Sequence, residues 1–499
     1  MSWLLEARIR DRPDKPFFIW EPFDEAPIVW TYARFGAEVG KVAAGLSHRG
    51  VGQGDPVLIH LDNCPEFLLT WFACARLGAV AISTNTRSSR DEIQYFVGHS
   101  RPNIAITQTS LAMDVEAAMN NSGDAIIVGD SRKDRRFESL IADELAPAAG
   151  VSGLAPLSIQ YTSGTTGRPK AVIWTHANAL WGGKINAAHE GLTESDVSLV
   201  FAPLFHTNAQ SYSVLATLWV GGTFVLQPRF SSSRFWPVSL RNRCTFSSQL
   251  YFTLRALAQV ESPTRHDYRL WATGMCEHKI ARDHFNVPTI GWWGMTETVS
   301  HPIIGDTSVP NQPQTIGRAA PEYEVAVLND AGAPVQPGET GELLVRGIPG
   351  ISLFAGYLHD PIATASSFEE QGWFKTGDRI TVTDDGSMIF ADRAKDMLRV
   401  GAENVAASEI ERVVGAVAGV REVAVVGKPD PMLDEVPVAF VIIKEDESSS
   451  VLHARILEAC RSKLADFKVP REICFIKDLP RATLGKVAKE KLRHMVRQT

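Results

Sequence analysis

Residues 56–83 read PVLIHLDNCPEFLLTWFACARLGAVAIS, and how this stretch folds decides the architecture of the chain. PVLIHL is a short apolar run of strand length. PEFLLTWFACARLG is predicted as a helix, with Pro65 in the first turn, where its missing N–H is no loss, and Gly78 at the close. AVAIS is a second strand. Strand, helix, strand is a βαβ unit, and chains built on such units form mostly parallel sheet with helices on both faces. In open α/β sheets, ligands lie beyond the carboxyl ends of the strands. Further along, SIQYTSGTTG (158–167), GGTFVLQP (221–228) and PTIGWWG (288–294) each read as a strand running into a loop. The loops at 161–170 and 291–297 are therefore candidates for one shared site.

The texture changes after about Pro310. YEVAVLNDAG (323–332) and GELLVRG (341–347) are two strands, and RITVTDDGSMIFADR (379–393) reads as a hairpin turning at Asp385-Gly386. This is the pattern of an antiparallel β subdomain, about 310–394. Beyond Arg393 come a helix ASEIERVVGAV, strands EVAVVG and VAFVII, a helix over 450–465 and a strand EICFIK, a small α+β domain of ordinary size. The expected organisation is a large α/β N-terminal domain over 1–394, with stacked sheets and the β subdomain, and a small C-terminal domain over 395–499. The boundary falls within DRAKDML, 392–398.

The gross numbers agree with two domains: 499 residues, 44% hydrophobic, exceed one ordinary domain. A net charge of -7 gives no general footprint for nucleic acid. The six cysteines are scattered without close pairing, which points to reduced thiols and a cytoplasmic location. The opening MSWLLEARIRDRPDKP is charged too early for a signal peptide. No run approaches the roughly 18 uncharged apolar residues that a membrane span needs. There is no zinc-ligand spacing and no Gly-x-Ser-x-Gly, so zinc hydrolysis and an α/β-hydrolase triad are not expected.

YTSGTTGRPK (161–170) packs hydroxyls, glycines and two cations into ten residues. Backbone N–H groups of a glycine-rich loop converge on phosphate oxygens, hydroxyls add donors without bulk, and Arg168 and Lys170 add positive charge. It is not a Walker A loop, because the fifth residue after Gly164 is Pro169. Read alone, the stretch fits a polyphosphate cradle and a polar surface turn about equally.

Several motifs together carry a resemblance. YTSGTTGRPKAV, GWWGMTET (291–298), GELLVRG, GWFKTGD (372–378), DRAKDMLRVGAENV (392–405) and LPRATLGKVAK (479–489) occur in the order found in the adenylate-forming superfamily of acyl- and aryl-CoA synthetases, peptide-synthetase adenylation domains and firefly-type luciferases. HLDNCPEF (60–67), GMTET and RGIPG (346–350) most resemble crotonobetaine/carnitine-CoA ligases. The resemblance covers nearly the whole chain and implies the superfamily's fold, with a C-terminal domain that moves.

It also implies roles. Thr162, Ser163, Gly164, Thr165, Thr166, Gly167 and Lys170 would cradle the β- and γ-phosphates of ATP, and Gly274 belongs with the nucleotide-binding residues. Thr296 would hydrogen-bond the α-phosphate, and Glu297, a hard oxygen donor, would hold Mg²⁺. Trp293 stands where the family most often has a tyrosine stacked on adenine. Asp378 would accept both ribose hydroxyls, with Arg393 as a second ribose or phosphate partner. Lys486 would bridge the substrate carboxylate and the α-phosphate during adenylation, a task suited to a compact charge on a flexible stem. Lys395 matches the hinge, and the swing would bring Gly401 to the pantetheine tunnel. His206 would gate the acyl pocket, lined also by Tyr251, Trp292 and Met295. Each has a plain alternative: a TGD turn, a linker lysine, a solvated tail cation, an aromatic core.

The function so implied is an ATP- and Mg²⁺-dependent acyl-CoA ligase with coenzyme A as co-substrate. A carrier protein or separate transferase as acyl acceptor, a luciferase-like oxygenase, a phosphate-switch NTPase and an inactive nucleotide-binding module are the other readings. The acid is not legible; the resemblance points to a modest polar one, and a bulky alicyclic or aromatic acid stays open. A homodimer is the common default.

Overall fold

The structure, a computed structural model, describes residues 1–119, 124–162, 168–393, 397–401, 403–444, 448–480 and 487–497. By backbone contacts the chain divides into two compact units. The first comprises Met1–Thr86, Val97–Gln160 and Ala171–Asp392; the second comprises Arg87–Phe96, Tyr161–Lys170 and Arg393–Thr499.

The βαβ unit that opens the sequence argument is present. Strands Pro56–His60 and Val80–Ser83 pair in parallel, Leu58 opposite Ile82. The helix between them, Pro65–Leu77, has Pro65 in its first turn and ends on Gly78 at φ 71°, whose N–H reaches back to the Cys74 carbonyl. That left-handed φ is why a glycine stands here, and a Cβ would in addition lie 2.5 Å from Val151 Cγ1. These strands belong to a seven-stranded sheet that also contains Pro156–Thr162 and Lys170–Thr175.

A second, nine-stranded sheet contains Val197–Val200, Thr223–Leu226, Phe246–Ser248, Leu270–Thr273 and Thr289–Trp293, paired in parallel. Next to its edge strand Ile28–Thr31 lies the strand Pro16–Trp20, which the sequence reading did not identify; Phe18 lies opposite Phe224. One core takes side chains from both sheets and from the helices Tyr32–His48 and Pro65–Leu77. Its centre is aromatic: Phe17 touches Tyr32, Phe35, Phe72 and Phe224 at ring distances of 4.9–6.2 Å. An apolar surface of this size is what drives the unit together.

Strands Glu324–Leu328, Thr340–Arg346, Trp373–Val382 and Met388–Arg393 form a four-stranded sheet, with Gly386 at φ 78° in the last turn. In the second unit, the EVAVVG strand is the middle of a longer one, Val420–Asp430, paired along its length with Asp434–Ile443. The helix read over 450–465 spans Ser449–Lys463. A hairpin the sequence reading missed, Met397–Val400 with Glu403–Ala406, joins the same sheet. Among the described residues no helix is long and apolar enough to cross a membrane.

Candidate active site

Thr289–Trp293 is a buried parallel strand, and side chains alternate along it. Trp293 is 6% exposed, and its indole Nε1 donates to Asp378 Oδ2 at 2.9 Å. Asp378 is itself buried; its N–H donates to Thr376 Oγ1 at 3.1 Å, and Gly377 before it adopts φ 75°. Two motifs 85 residues apart thus share one hydrogen bond. The exchange of the family's tyrosine for tryptophan has a consequence here that the sequence does not display: the indole edge supplies a donor to the carboxylate expected at the ribose.

After Gly294 the chain makes a short helical turn over Thr296–Thr298. Thr296 is pinned by its carbonyl, which accepts from Trp174 Nε1 at 2.8 Å, and its Oγ1 lies 3.2 Å from Thr207 Oγ1. Thr207 also reaches Gln160 Oε1, 3.0 Å away, at the end of a strand of the other sheet. Glu297 is 4% exposed, and Tyr357 Oη donates to its Oε1 at 2.9 Å. Burial, then the charge of Glu297, pushes the Tyr357 phenol far up, so it stays a donor. Tyr357 is a site residue that sequence reasoning missed. Strand Gly356–Tyr357 pairs antiparallel with Lys170–Thr175, Tyr357 opposite Val172, and only that pairing carries it to Glu297. A single carboxylate fits a Mg²⁺ site, since this ion is held by one or two carboxylates plus substrate phosphates. No cluster of three or more His, Cys, Asp or Glu that could hold a metal occurs among the described residues.

His206 is half-buried, its ring 4.7 Å from that of Phe205. It precedes a π-helix, Asn208–Leu215, which no periodicity in the sequence announces. Gly274 follows the strand Leu270–Thr273, and a Cβ there would meet nothing within 4 Å. Tyr251 opens the short helix Tyr251–Leu257, with Arg255 Cζ 4.0 Å from its ring centre and His278 packed at 5.4 Å. Met295 is half-buried beside Thr296. Trp292 faces away from Trp293, into a ring cluster with Tyr212 and His301.

Thr162 ends the strand Pro156–Thr162 and Lys170 begins Lys170–Thr175; both are half-buried. Ser163, Gly164, Thr165, Thr166 and Gly167 lie outside the described residues, as do Lys395 and Lys486. Arg393 closes the strand Met388–Arg393, and its side chain is likewise outside the description. In the second unit Gly401 takes φ 64° in the hairpin turn and donates its N–H to the Leu433 carbonyl at 2.6 Å, a conformation that favours glycine.

The family model for the AMP-binding enzyme matches residues 5–358, and that for the AMP-binding enzyme C-terminal domain matches residues 409–486. A crotonobetaine/carnitine–CoA ligase of Salmonella choleraesuis is 32% identical over 503 residues, covering 96% of both chains. Among solved structures, a double mutant of o-succinylbenzoate CoA synthetase from Bacillus subtilis matches with a TM-score of 0.86 at 26% identity over 98% of each chain. A fatty acyl CoA synthetase of Mycobacterium tuberculosis matches at 0.70 and 28%, covering 99% of this chain and 97% of that one. The chain therefore belongs to the AMP-binding enzyme family, as an AMP-forming acyl-CoA synthetase of the adenylate-forming superfamily, a ligase that activates an acid with ATP and passes it to coenzyme A.

Proposed function

We propose that the chain runs both half-reactions on a modest-sized carboxylic acid, with its site residues in the roles that their motifs imply. A carboxylate resists nucleophiles because of its charge and has no leaving group. Joining it to AMP supplies one, and the thiol of coenzyme A then displaces AMP to give the thioester. The first step asks for positioning and for neutralisation of charge at the α-phosphate. In this reading the loop 162–167 with Lys170 cradles the outer phosphates, Thr296 donates to the α-phosphate, and Asp378 accepts from the ribose hydroxyls. Trp293 holds Asp378 in place through its N–H, and Tyr357 does the same for Glu297. Mg²⁺ held by Glu297 would add positive charge at the phosphates. Lys486 serves adenylation, and Gly401 serves thioester formation. The observation that supports the reading is the Trp293–Asp378 hydrogen bond, which brings residues of the GWWGMTET and GWFKTGD motifs together.

The test is pyrophosphate release over a panel of carboxylic acids, with and without coenzyme A. Release that requires an acid, with stoichiometric consumption of coenzyme A, is the expected result. Acyl-AMP that accumulates in the presence of coenzyme A would instead assign the acyl group to a carrier protein or a separate transferase. Lys486→Ala is expected to retain ATP binding and to lose adenylation by about a hundredfold or more; unchanged adenylation would remove Lys486 from the mechanism.

A further inference from the structure

Thr296 is held at two points. Trp174 Nε1 fixes its carbonyl, and Thr207 Oγ1, 3.2 Å from its hydroxyl oxygen, meets its side chain. Thr207 stands at the end of a longer chain of hydrogen bonds. Its hydroxyl donates to Gln160 Oε1 at 3.0 Å, and Gln160 Nε2 donates to Gln210 Oε1 at 3.1 Å. Gln210 Nε2 donates in turn to the Leu204 carbonyl at 2.7 Å and to Ser83 Oγ at 3.2 Å. Ser83 and Gln160 face one another across the parallel strands Val80–Ser83 and Pro156–Thr162, toward their carboxyl ends. Thr207 precedes the π-helix Asn208–Leu215, and Gln210 lies within it. The chain therefore links strand ends of the seven-stranded sheet to the turn that follows Thr289–Trp293 in the nine-stranded one, where α/β sheets bind their ligands.

Ser83, Gln160, Thr207 and Gln210 are buried, whereas Thr296 is half-buried. Burial makes the hydrogen count strict, because a polar atom left unmet there is costly. A carbonyl only accepts, so the amide nitrogen of Gln210 must face Leu204 and its oxygen must face Gln160. Gln160 then shows its nitrogen to Gln210 and its oxygen to Thr207. Leu204 is itself fixed, since its N–H donates to Asn63 Oδ1 at 2.7 Å and Asn63 Nδ2 donates to the carbonyls of Ala202 and Gln227, each at 3.0 Å. The chain thus has one direction, set from the backbone. At its end Thr207 has a single hydroxyl hydrogen and two oxygens facing it, Gln160 Oε1 and Thr296 Oγ1. When Thr296 donates to Thr207, that hydrogen goes to Gln160. When Thr296 donates outward, Thr207 can turn its hydrogen to Thr296. Each change is a hydroxyl rotation in which no covalent bond is altered.

We propose that Thr207 is a positioning residue for adenylation, oriented by Gln160, and that the pair holds the Thr296 hydroxyl in the direction from which it donates to the α-phosphate. The proposal rests on the ligase reading of Thr296 and deepens it by adding two residues that act through Thr296 rather than on ATP. The bond from Thr207 selects one χ1 rotamer of Thr296, a β-branched side chain that is stiff once placed. A donor set in advance costs no reorganisation when charge develops on the phosphate. Thr207 accepts from Thr296 before a phosphate oxygen arrives and donates to it afterwards, and in the second arrangement the two successive bonds strengthen one another. A hydroxyl can play both parts; a valine of the same shape can play neither.

The test measures kcat, and KM for ATP, in acid-dependent pyrophosphate release by Thr207→Val, Thr296→Val and the double variant. Each single variant is expected to lower kcat by about tenfold or more while KM for ATP moves by less than about threefold. The double variant should fall within about threefold of Thr296→Val, because Thr207 has no effect once the hydroxyl it directs is gone. Thr207→Ser, which keeps the hydroxyl, should stay within about threefold of the unaltered protein. Gln160→Met takes away the acceptor that orients Thr207; it should lower kcat in the same direction and also add nothing to Thr296→Val, so it serves where Thr207→Val folds poorly. Losses that multiply in the double variants overturn the proposal, since that is what a purely structural role produces. So does an unchanged kcat in Thr207→Val beside a slow Thr296→Val, a result that leaves the ligase reading intact. An unchanged kcat in Thr296→Val removes Thr296 from the α-phosphate and the proposal with it, and failure of every acid to release pyrophosphate removes the ligase reading itself.

Discussion

Glu190 occupies the position after the last turn of the helix His176–His189, and its carboxyl is 0% exposed with neither oxygen hydrogen-bonded among the described residues. The nearby Arg269 is engaged elsewhere, with its guanidinium on Asp196 at 2.7 and 3.0 Å and on the Glu190 carbonyl at 3.3 and 3.4 Å. Burial pushes the Glu190 carboxyl well above the usual range, against the pull of Arg269. An acid whose folded value is raised contributes stability below its unfolded value, near 4.3, and loses it as pH rises toward the folded value. Glu190→Gln keeps the shape and cannot ionise. It should therefore be stabilising by about 1–3 kcal/mol at pH 8 and by less at pH 5. Thermal denaturation of both proteins across that range checks this; a gain that shrinks as pH rises contradicts it. Single residues also mark where reading the sequence stopped. Glu297 and Asp378 are legible from their motifs, whereas Tyr357, His301 and Glu190 are ordinary letters until neighbours are known.

At the scale of elements, the strand Thr289–Trp293 works by alternation. Trp293 turns to Asp378 and Trp292 to the ring cluster with Tyr212 and His301, so adjacent side chains of one strand meet different neighbours. Its end is tightly met by the π-helix Asn208–Leu215, and Gly294 is the point of contact. A Cβ there would lie 2.7 Å from both the Ser300 carbonyl oxygen and Tyr212 Oη, and one of those atoms is backbone. Gly294→Ala is expected to cost about 1–3 kcal/mol of stability and more than about tenfold in kcat/KM by displacing Thr296. Denaturant unfolding and pyrophosphate release measure the two effects, and a variant of wild-type activity would show that this contact does not set the turn. Apolar runs and their punctuation reveal the strands and helices. A π-helix and a two-residue strand such as Gly356–Tyr357 leave no periodic trace, because they exist through packing against segments distant in the chain.

At the scale of the molecule, each unit has its own core. In the second, Lys468 is buried between two carboxylates, at 2.9 Å from Glu409 Oε1 and in contact with Glu92 Oε1; side-chain exposures are 9%, 3% and 8%. Burial raises the Glu409 carboxyl even against the Lys468 charge. Ser89 joins the same surface, donating its hydroxyl to the Lys463 carbonyl at 2.9 Å and its N–H to Glu92 Oε2 at 2.7 Å. Removing this cation strands two buried carboxylates, so Lys468→Met should destabilise by about 3–5 kcal/mol, while Lys468→Met with both glutamates changed to glutamine should recover most of it. Denaturant unfolding of the two variants decides whether the three charges act as one unit; no recovery means that they do not.

What the sequence by itself determined is what local chemistry can carry: parallel α/β layers from strand–helix–strand spacing, a change of texture near residue 392, and a family from motifs whose residue types their chemistry demands. Only the tertiary structure decided that segment 87–96 packs with the C-terminal unit, that an indole supports Asp378 and that a phenol supports Glu297. The reason is physical: a hydrogen bond or a burial joins residues far apart in the chain, and composition and periodicity report only on near neighbours.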